Sequence, residues 1–139
     1  MTELEFIELM LDKPWVNRGD TVDGADCYGV VKLYNEMVQG KSLPVIEGYK
    51  KGFKFDSLWR SEIESTWRQV GSWQQGAMVT FYDNAYNPVH VGICVGNQQV
   101  LHSPGSESSP GKVSIHKLSA LLSVGAYKDV SFHKVVKYA

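Results

Sequence analysis

Cysteine is scarce in this chain. Two thiols, Cys27 and Cys94, stand in 139 residues, too few for a disulfide framework and spaced unlike any zinc site. Charge of either sign is near balance. With a formal net charge of −1 and no run of lysines or arginines, the sequence has no footprint for nucleic acid and no basic segment for a membrane surface. No apolar stretch is long enough to cross a bilayer, so no membrane insertion is expected. The start, Met1-Thr2-Glu3-Leu4-Glu5, is acidic where a signal peptide is basic. The expectation is a product made in a cytoplasm and exported, if at all, by another route. What is present is globular material, 43% hydrophobic and 12% aromatic. That suffices for a single domain over 1–139 with its own core, needing no metal, cofactor or disulfide to hold it together.

Helical patterning fills the first half. Thr2-Glu3-Leu4-Glu5 reads as a capping box opening a short helix, with Phe6, Ile7, Met10 and Leu11 on its apolar side and Lys13-Pro14 as its stop. A polar loop, Trp15 to Gly24, leads into Asp23-Gly24-Ala25-Asp26-Cys27-Tyr28-Gly29. Beyond it Val30, Val31, Tyr34, Met37 and Val38 recur at helical spacing, and Gly40 stands where a left-handed cap is expected. Val45 to Phe55 supports no assignment. Leu58 to Val70 reads as a third helix, capped by Asp56 or Ser57, with Trp59, Ile63, Trp67 and Val70 roughly in line and the two tryptophans as core. After a turn region at 71–76 the period becomes alternating. Strands are expected at Met78–Tyr82, His90–Val95, Gln98–His102 and Val113–His116, then a helical turn at Leu118–Leu122 and a closing strand at Val130–Tyr138. Ser103 to Gly111, rich in Ser, Pro and Gly, reads as a mobile surface loop. Helices first and strands last predict an α+β fold with an antiparallel sheet.

The chemistry centres on Cys27. It falls in the first turn of its helix, behind Asp23 or Asp26 as cap, where unpaired N–H groups and the helix dipole favour an anion. A thiol with a lowered pKa is the expectation. A thiolate nucleophile needs a base, and the base needs a third group to hold its ring. In the strand after Pro88, His90, Gly92 and Cys94 share one face while Val91, Ile93 and Val95 share the other. The Val/Ile/Val face is core, so His90 is expected to point the other way, toward the cysteine helix. Register decides whether His102 can orient it. A two-residue Gly96-Asn97 turn sets Val91 opposite His102 and parts the histidines. A three-residue Gly96-Asn97-Gln98 loop sets Gly92 opposite His102 and puts both on one face. The odd-length loop is expected. His116 and His133 read as structural or exposed. A Cys27–Cys94 disulfide, which the shared face allows, is disfavoured in a cytoplasm and would silence the thiol.

Asp26-Cys27-Tyr28-Gly29-Val30-Val31, then His90-Val91-Gly92-Ile93, then Val100-Leu101-His102 resembles the NlpC family of papain-like cysteine peptidases over roughly 14–136. The resemblance implies a papain-like α+β fold, N-terminal helices packed on a small antiparallel sheet. It implies Cys27 as nucleophile, His90 as general base and then acid, His102 as orienter, and the Cys27 backbone N–H facing the oxyanion. Members cut the stem peptides of bacterial cell wall, commonly between D-γ-glutamate and diaminopimelate. The acid before the nucleophile, here Asp26, often helps read the substrate's free amine; Asp26, Trp15 and Tyr28 form the expected substrate-contacting set.

The chain departs from the family at three places. Pro14-Trp15 replaces Pro-Tyr, setting an indole N–H where a hydroxyl often contacts the oxyanion. Gly76-Ala77 replaces Gly-Asp. Tyr28 stands where secreted bacterial enzymes carry serine and phage tail proteins usually carry tryptophan. That aromatic, the Gly40-Lys41-Ser42-Leu43-Pro44 exit and the acidic start resemble the phage tail-assembly branch. This implies a virion-associated, wall-degrading part of a tail tip, with other tail-tip proteins as partners. Two readings compete. One is a structural tail component with a vestigial site, which Trp15 and the missing acid at 77 favour. The other is amidase or acyltransferase chemistry on the same fold.

Overall fold

The computed structural model describes residues 1–47, 54–124, 127–136 and 138, so the middle of the unassigned 45–55 connection lies outside the described residues. The first helix, α1 (Glu3–Met10), begins with the expected reciprocal cap. The Thr2 hydroxyl accepts from Glu5 N–H at 3.1 Å, and the Glu5 carboxylate accepts from Thr2 N–H at 2.9 Å. Phe6 and Met10 are fully buried. The polar loop that follows is more regular than its composition implies. Asp20–Thr21 (β1) and Gly24–Ala25 (β2) form a small antiparallel ladder. It feeds α2 (Cys27–Met37), where Asp26 is the cap and its Oδ1 accepts from Gly29 N–H at 2.9 Å. Gly40, at φ +66°, has the left-handed backbone expected past the helix end.

The third helix differs from expectation. It starts earlier, at Phe55–Leu58 (α3), so Asp56 and Ser57 fall inside it rather than ahead of it. It continues as a π-helical turn over Trp59–Ile63 and a last turn, Glu64–Thr66 (α4). Trp67–Val70 is then a strand, β3, and not helix. Trp59, Ile63 and Trp67 are all buried, as their spacing implied. Burial alone does not select the backbone, however. The Trp67–Val70 segment pairs with Phe132–Val135, and that distant partner supplies its hydrogen bonds.

The remaining strands are β4 (Met78–Tyr82), β5 (Pro88–Val95), β6 (Gln99–His102), β7 (Ser114–Lys117) and β8 (Asp129–Val135), with α5 (Leu118–Val124) before the last. They form one antiparallel sheet in the order β3-β8-β4-β5-β6-β7. The final strand does not close an edge but inserts between β3 and β4. One face of the sheet is covered by α1 and α2, whose Phe6, Met10, Val30 and Val31 pack with Val91, Ile93, Val95 and Leu101. On the other face Leu118 and Leu121 pack on Val79, Phe81, Cys94 and Val100. Cys27 and Cys94 are both free thiols.

One expectation about the site is thereby corrected. The cysteine helix lies on the Val91/Ile93/Val95 face of β5, not on the face that carries His90. The apolar stripe of α2 gains most from burial against that aliphatic face. Among the described residues no helix is long and apolar enough to cross a membrane.

Candidate active site

The turn after β5 sets the geometry. Gly96–Gln98 is a three-residue turn in which Asn97 and Gln98 take positive φ of 61° and 53°. The ladder beyond it pairs Val95 with Gln99, Cys94 with Val100 and Ile93 with Leu101. One further step brings His102 opposite Gly92. The odd-length loop is therefore as expected, and His90 and His102 share a face as diagonal neighbours, a separation that two rings can span. His90 Nε2 lies 2.8 Å from His102 Nδ1.

Gly92 is what leaves them room. A Cβ there would sit 2.6 Å from Val100 Cγ1 and 3.0 Å from His102 Cβ. Gly92→Ala is expected to lower stability by about 1–3 kcal/mol through overpacking and to displace His102. An unchanged urea midpoint would argue against that close contact.

Cys27 and His90 share a cleft at the open end of β5. Past His102 the chain leaves β5, and the Ser103 hydroxyl donates to the Ala25 carbonyl at 2.6 Å. That bond fastens the start of α2 into the space where β6 has departed. The backbone N–H groups of Val91 and Tyr28 there favour the anion of the Cys27 sulfur. Cys27, partly exposed, and His90 line one cleft together with Trp15, Arg18, Asp26 and Gly105. Among the described residues His90 Nδ1 makes no hydrogen bond, and none joins the sulfur to the ring. Such bonds commonly tighten only when substrate arrives. The ring itself is held flat. Tyr127 stacks on it at 5.6 Å and 4°, and Phe81 covers it at 5.6 Å and 33°.

The electrostatics overturn the expectation of a lowered thiol pKa. Burial first, and the neighbouring Asp26 carboxylate second, push the Cys27 thiol up to about 12. The N–H groups of Val91 and Tyr28 and the Arg18 guanidinium pull it down without prevailing. Desolvation is larger here than the helix start can offset. Burial lowers His90 to about 4. His102 falls to about 3, from burial first and then from the neighbouring His90 and His116. The resting pair at neutral pH is therefore a thiol and a neutral imidazole.

The three expected substrate contacts fare differently. Trp15 lines the cleft and packs against Gly105, where a Cβ would come within 3.0 Å of its Cγ. Asp26 lines it too, but Oδ2 accepts from Arg18 N–H at 3.0 Å and Oδ1 is the helix cap. Tyr28 is a correction: it is buried in the core and does not line the cleft. One residue along the helix from Cys27 turns it toward the sheet.

The serine-rich loop is tied down rather than free. Trp15 N–H donates to the Gly111 carbonyl at 2.9 Å, and the Asn17 amide donates to Glu107 at 2.7 Å. It forms a wall of the cleft. His133 is buried with its Nε2 at 2.7 Å from the Ser131 hydroxyl. His116 is exposed, yet its Nδ1 lies 2.9 Å from His102 Nε2. Sequence reasoning missed Tyr127, Arg18 and the link to His116. Tyr127 belongs to no periodic run, and only the insertion of β8 brings it over His90.

The model of the NlpC/P60 family matches residues 12–123. Among solved structures, the NlpC/p60 domain of the peptidoglycan hydrolase SagA aligns with a TM-score of 0.56 at 18% identity, covering 96% of this chain and 95% of that one. An NlpC/P60 family protein from Bacillus cereus ATCC 10987 gives 0.62 at 20% identity, over 94% of this chain and 38% of its own. The P60 domain of an antigen from M. avium subspecies paratuberculosis gives 0.59 at 15% identity, covering 97% and 93%. The chain thus spans nearly all of two of these and well under half of the third. A search of curated protein sequences returned no match. Identities this low carry the fold alone, and that fold is the papain-like α+β arrangement of helices on an antiparallel sheet. By the match over residues 12–123, the chain belongs to the NlpC/P60 family, typically cysteine hydrolases acting on peptidoglycan.

Proposed function

We propose that the protein is a cysteine endopeptidase that hydrolyses peptidoglycan stem peptides, with Cys27 as nucleophile, His90 as general base and then acid, and His102 holding its ring. The observation that carries this reading is the 2.8 Å contact from His90 Nε2 to His102 Nδ1, which leaves Nδ1 open in the cleft that the Cys27 sulfur lines. In the first half-reaction His90 Nδ1 takes the thiol proton as the sulfur bonds to the carbonyl carbon. The Cys27 backbone N–H faces the oxyanion. The C–N bond then breaks, and the amine leaves with the proton held by His90. In the second, His90 takes a proton from water, whose oxygen attacks the thioester. The acid is released and the thiol regains its proton.

The D-γ-glutamyl–diaminopimelate bond is the proposed target, with Asp26 and Trp15 as the cleft residues nearest the stem. The setting is a phage or prophage tail tip. The aromatic at position 28 and the Gly40–Pro44 exit support it, with one domain over 1–139 doing the work. A second reading, a structural tail component with a vestigial site, draws on the thiol pushed up to about 12 and the missing Cys27–His90 hydrogen bond.

The test is incubation of purified sacculi and muropeptides with wild type and with Cys27→Ala, read by mass spectrometry. New stem fragments are expected from the wild type only. Fragments from both proteins, or from neither, overturn thiol catalysis.

A further inference from the structure

Three imidazoles run in one line across three strands. His90 on β5, His102 on β6 and His116 on β7 occupy diagonal positions on the same face. The ladder pairs Val100 with His116 and His102 with Ser114, so His116 is one diagonal step beyond His102. The links are His90 Nε2 to His102 Nδ1 at 2.8 Å and His102 Nε2 to His116 Nδ1 at 2.9 Å. The ring planes are nearly perpendicular at each step, 69° and then 70°. His90 and His102 are buried, while His116 reaches solvent.

Each link holds one proton, and a neutral imidazole carries only one. The chain therefore has two self-consistent polarities. In the first, every ring carries its proton on Nε2: His90 donates to His102, His102 donates to His116, and His90 Nδ1 faces the cleft as a lone pair. In the second, every proton sits on Nδ1 and each bond reverses. His90 then presents an N–H to the cleft and cannot take a proton from a thiol. The tautomer of the outermost ring is locked to that of the innermost through His102. Of the three residues, only the outermost is exposed.

We propose that His116 is a positioning residue for the cleft: by accepting from His102 Nε2–H it holds the chain in the first polarity and keeps His90 Nδ1 available as the base. The inference rests on the reading of His90 as general base. It does not require Cys27 to be active, since the tautomers exist without turnover. The short β7 strand, at the edge of the sheet, carries the outermost ring.

The experiment is nitrogen–proton correlation spectroscopy of 15N-histidine-labelled protein near neutral pH, for wild type, His116→Phe and His116→Asn, with muropeptide kinetics on each. Phenylalanine retains the ring volume without a nitrogen. Asparagine can set its side-chain oxygen where Nδ1 stands. In the wild type His90 and His102 are expected to show protonated Nε2 and bare Nδ1. In His116→Phe both signals should move toward a mixture of tautomers. kcat should fall in proportion to the remaining Nε2–H fraction of His90, to about half or less, with KM unchanged. His116→Asn should restore both. A wild-type His90 protonated on Nδ1, or tautomers unmoved in His116→Phe, overturns the proposal even if the enzyme cleaves stems. Tautomers that respond as stated in a protein that cleaves nothing sink the peptidase reading and leave the chain polarity standing.

Discussion

Cys27→Ala, His90→Ala and the double variant are expected to lose stem-peptide hydrolysis to the same depth, at least ~10³-fold in kcat/KM. The equality is the sharper half of that statement. With burial and Asp26 pushing the thiol up to about 12, the sulfur is a nucleophile only when a base takes its proton during attack. Without the imidazole the thiol stays protonated; without the thiol the imidazole has nothing to activate. Losses that act through one step do not multiply. His90→Ala should also recover with alkali, its residual rate rising about tenfold per pH unit as thiolate forms without help. The ring of His90 packs against both Tyr127 and Phe81, which also touch each other, so its removal leaves a void. His90→Gln, which keeps more of that volume, serves as the check that lost activity is not lost fold. Losses that multiply in the double variant, or a His90→Ala protein within tenfold of wild type, would show that the two groups do not act as a unit.

Stability should fall steeply in mild acid, before the carboxylates titrate. Burial holds His90 at about 4, His102 at about 3 and His133 at about 4, each well below the ordinary 6.5. Once unfolded, all three take up protons near 6.5, so between that pH and about 4 the unfolded chain binds more protons than the native one. Stability therefore rises with pH across this window and drops as pH falls through it. Each histidine contributes about 1.4 kcal/mol per pH unit, so three together give about 4 kcal/mol per unit in the steepest part. Against a total of about 5–15 kcal/mol for a typical domain, the fold is expected to be lost above pH 4. Urea unfolding at pH 7, 6 and 5 measures the slope. A His133→Phe variant should reduce it by one proton without touching the cleft. A flat profile between pH 7 and 5 would mean that these rings are not held neutral by burial.

Several features were legible because the forces behind them act over a few residues. The Thr2–Glu5 cap forms within one turn, and its four letters suffice. The shared face of His90 and His102 follows from parity. Strand side chains alternate, so the three-residue Gly96–Gln98 turn fixes which face each occupies, however the sheet lies in the molecule. Trp59, Ile63 and Trp67 were rightly read as buried. Trp59 and Ile63 are helical as expected, but Trp67 is strand, because a helix and a strand both bury tryptophan and only the ladder to Phe132–Val135 chooses between them.

The sequence by itself determined the parts: a capped cysteine at a helix start, two histidines on one face of a hairpin, a glycine between them small enough to let them touch, and the order of helices before strands. The tertiary structure decided their meaning. It laid the cysteine helix on the aliphatic side of β5 and turned Tyr28 into core. It desolvated the half-buried thiol until that cost outweighed the helix start, slid Tyr127 over His90, and joined His116 to His102. Each of those outcomes depends on which segments, far apart in the chain, exclude water from one another. Local pattern fixes direction and spacing; solvent exclusion is a property of the assembled fold.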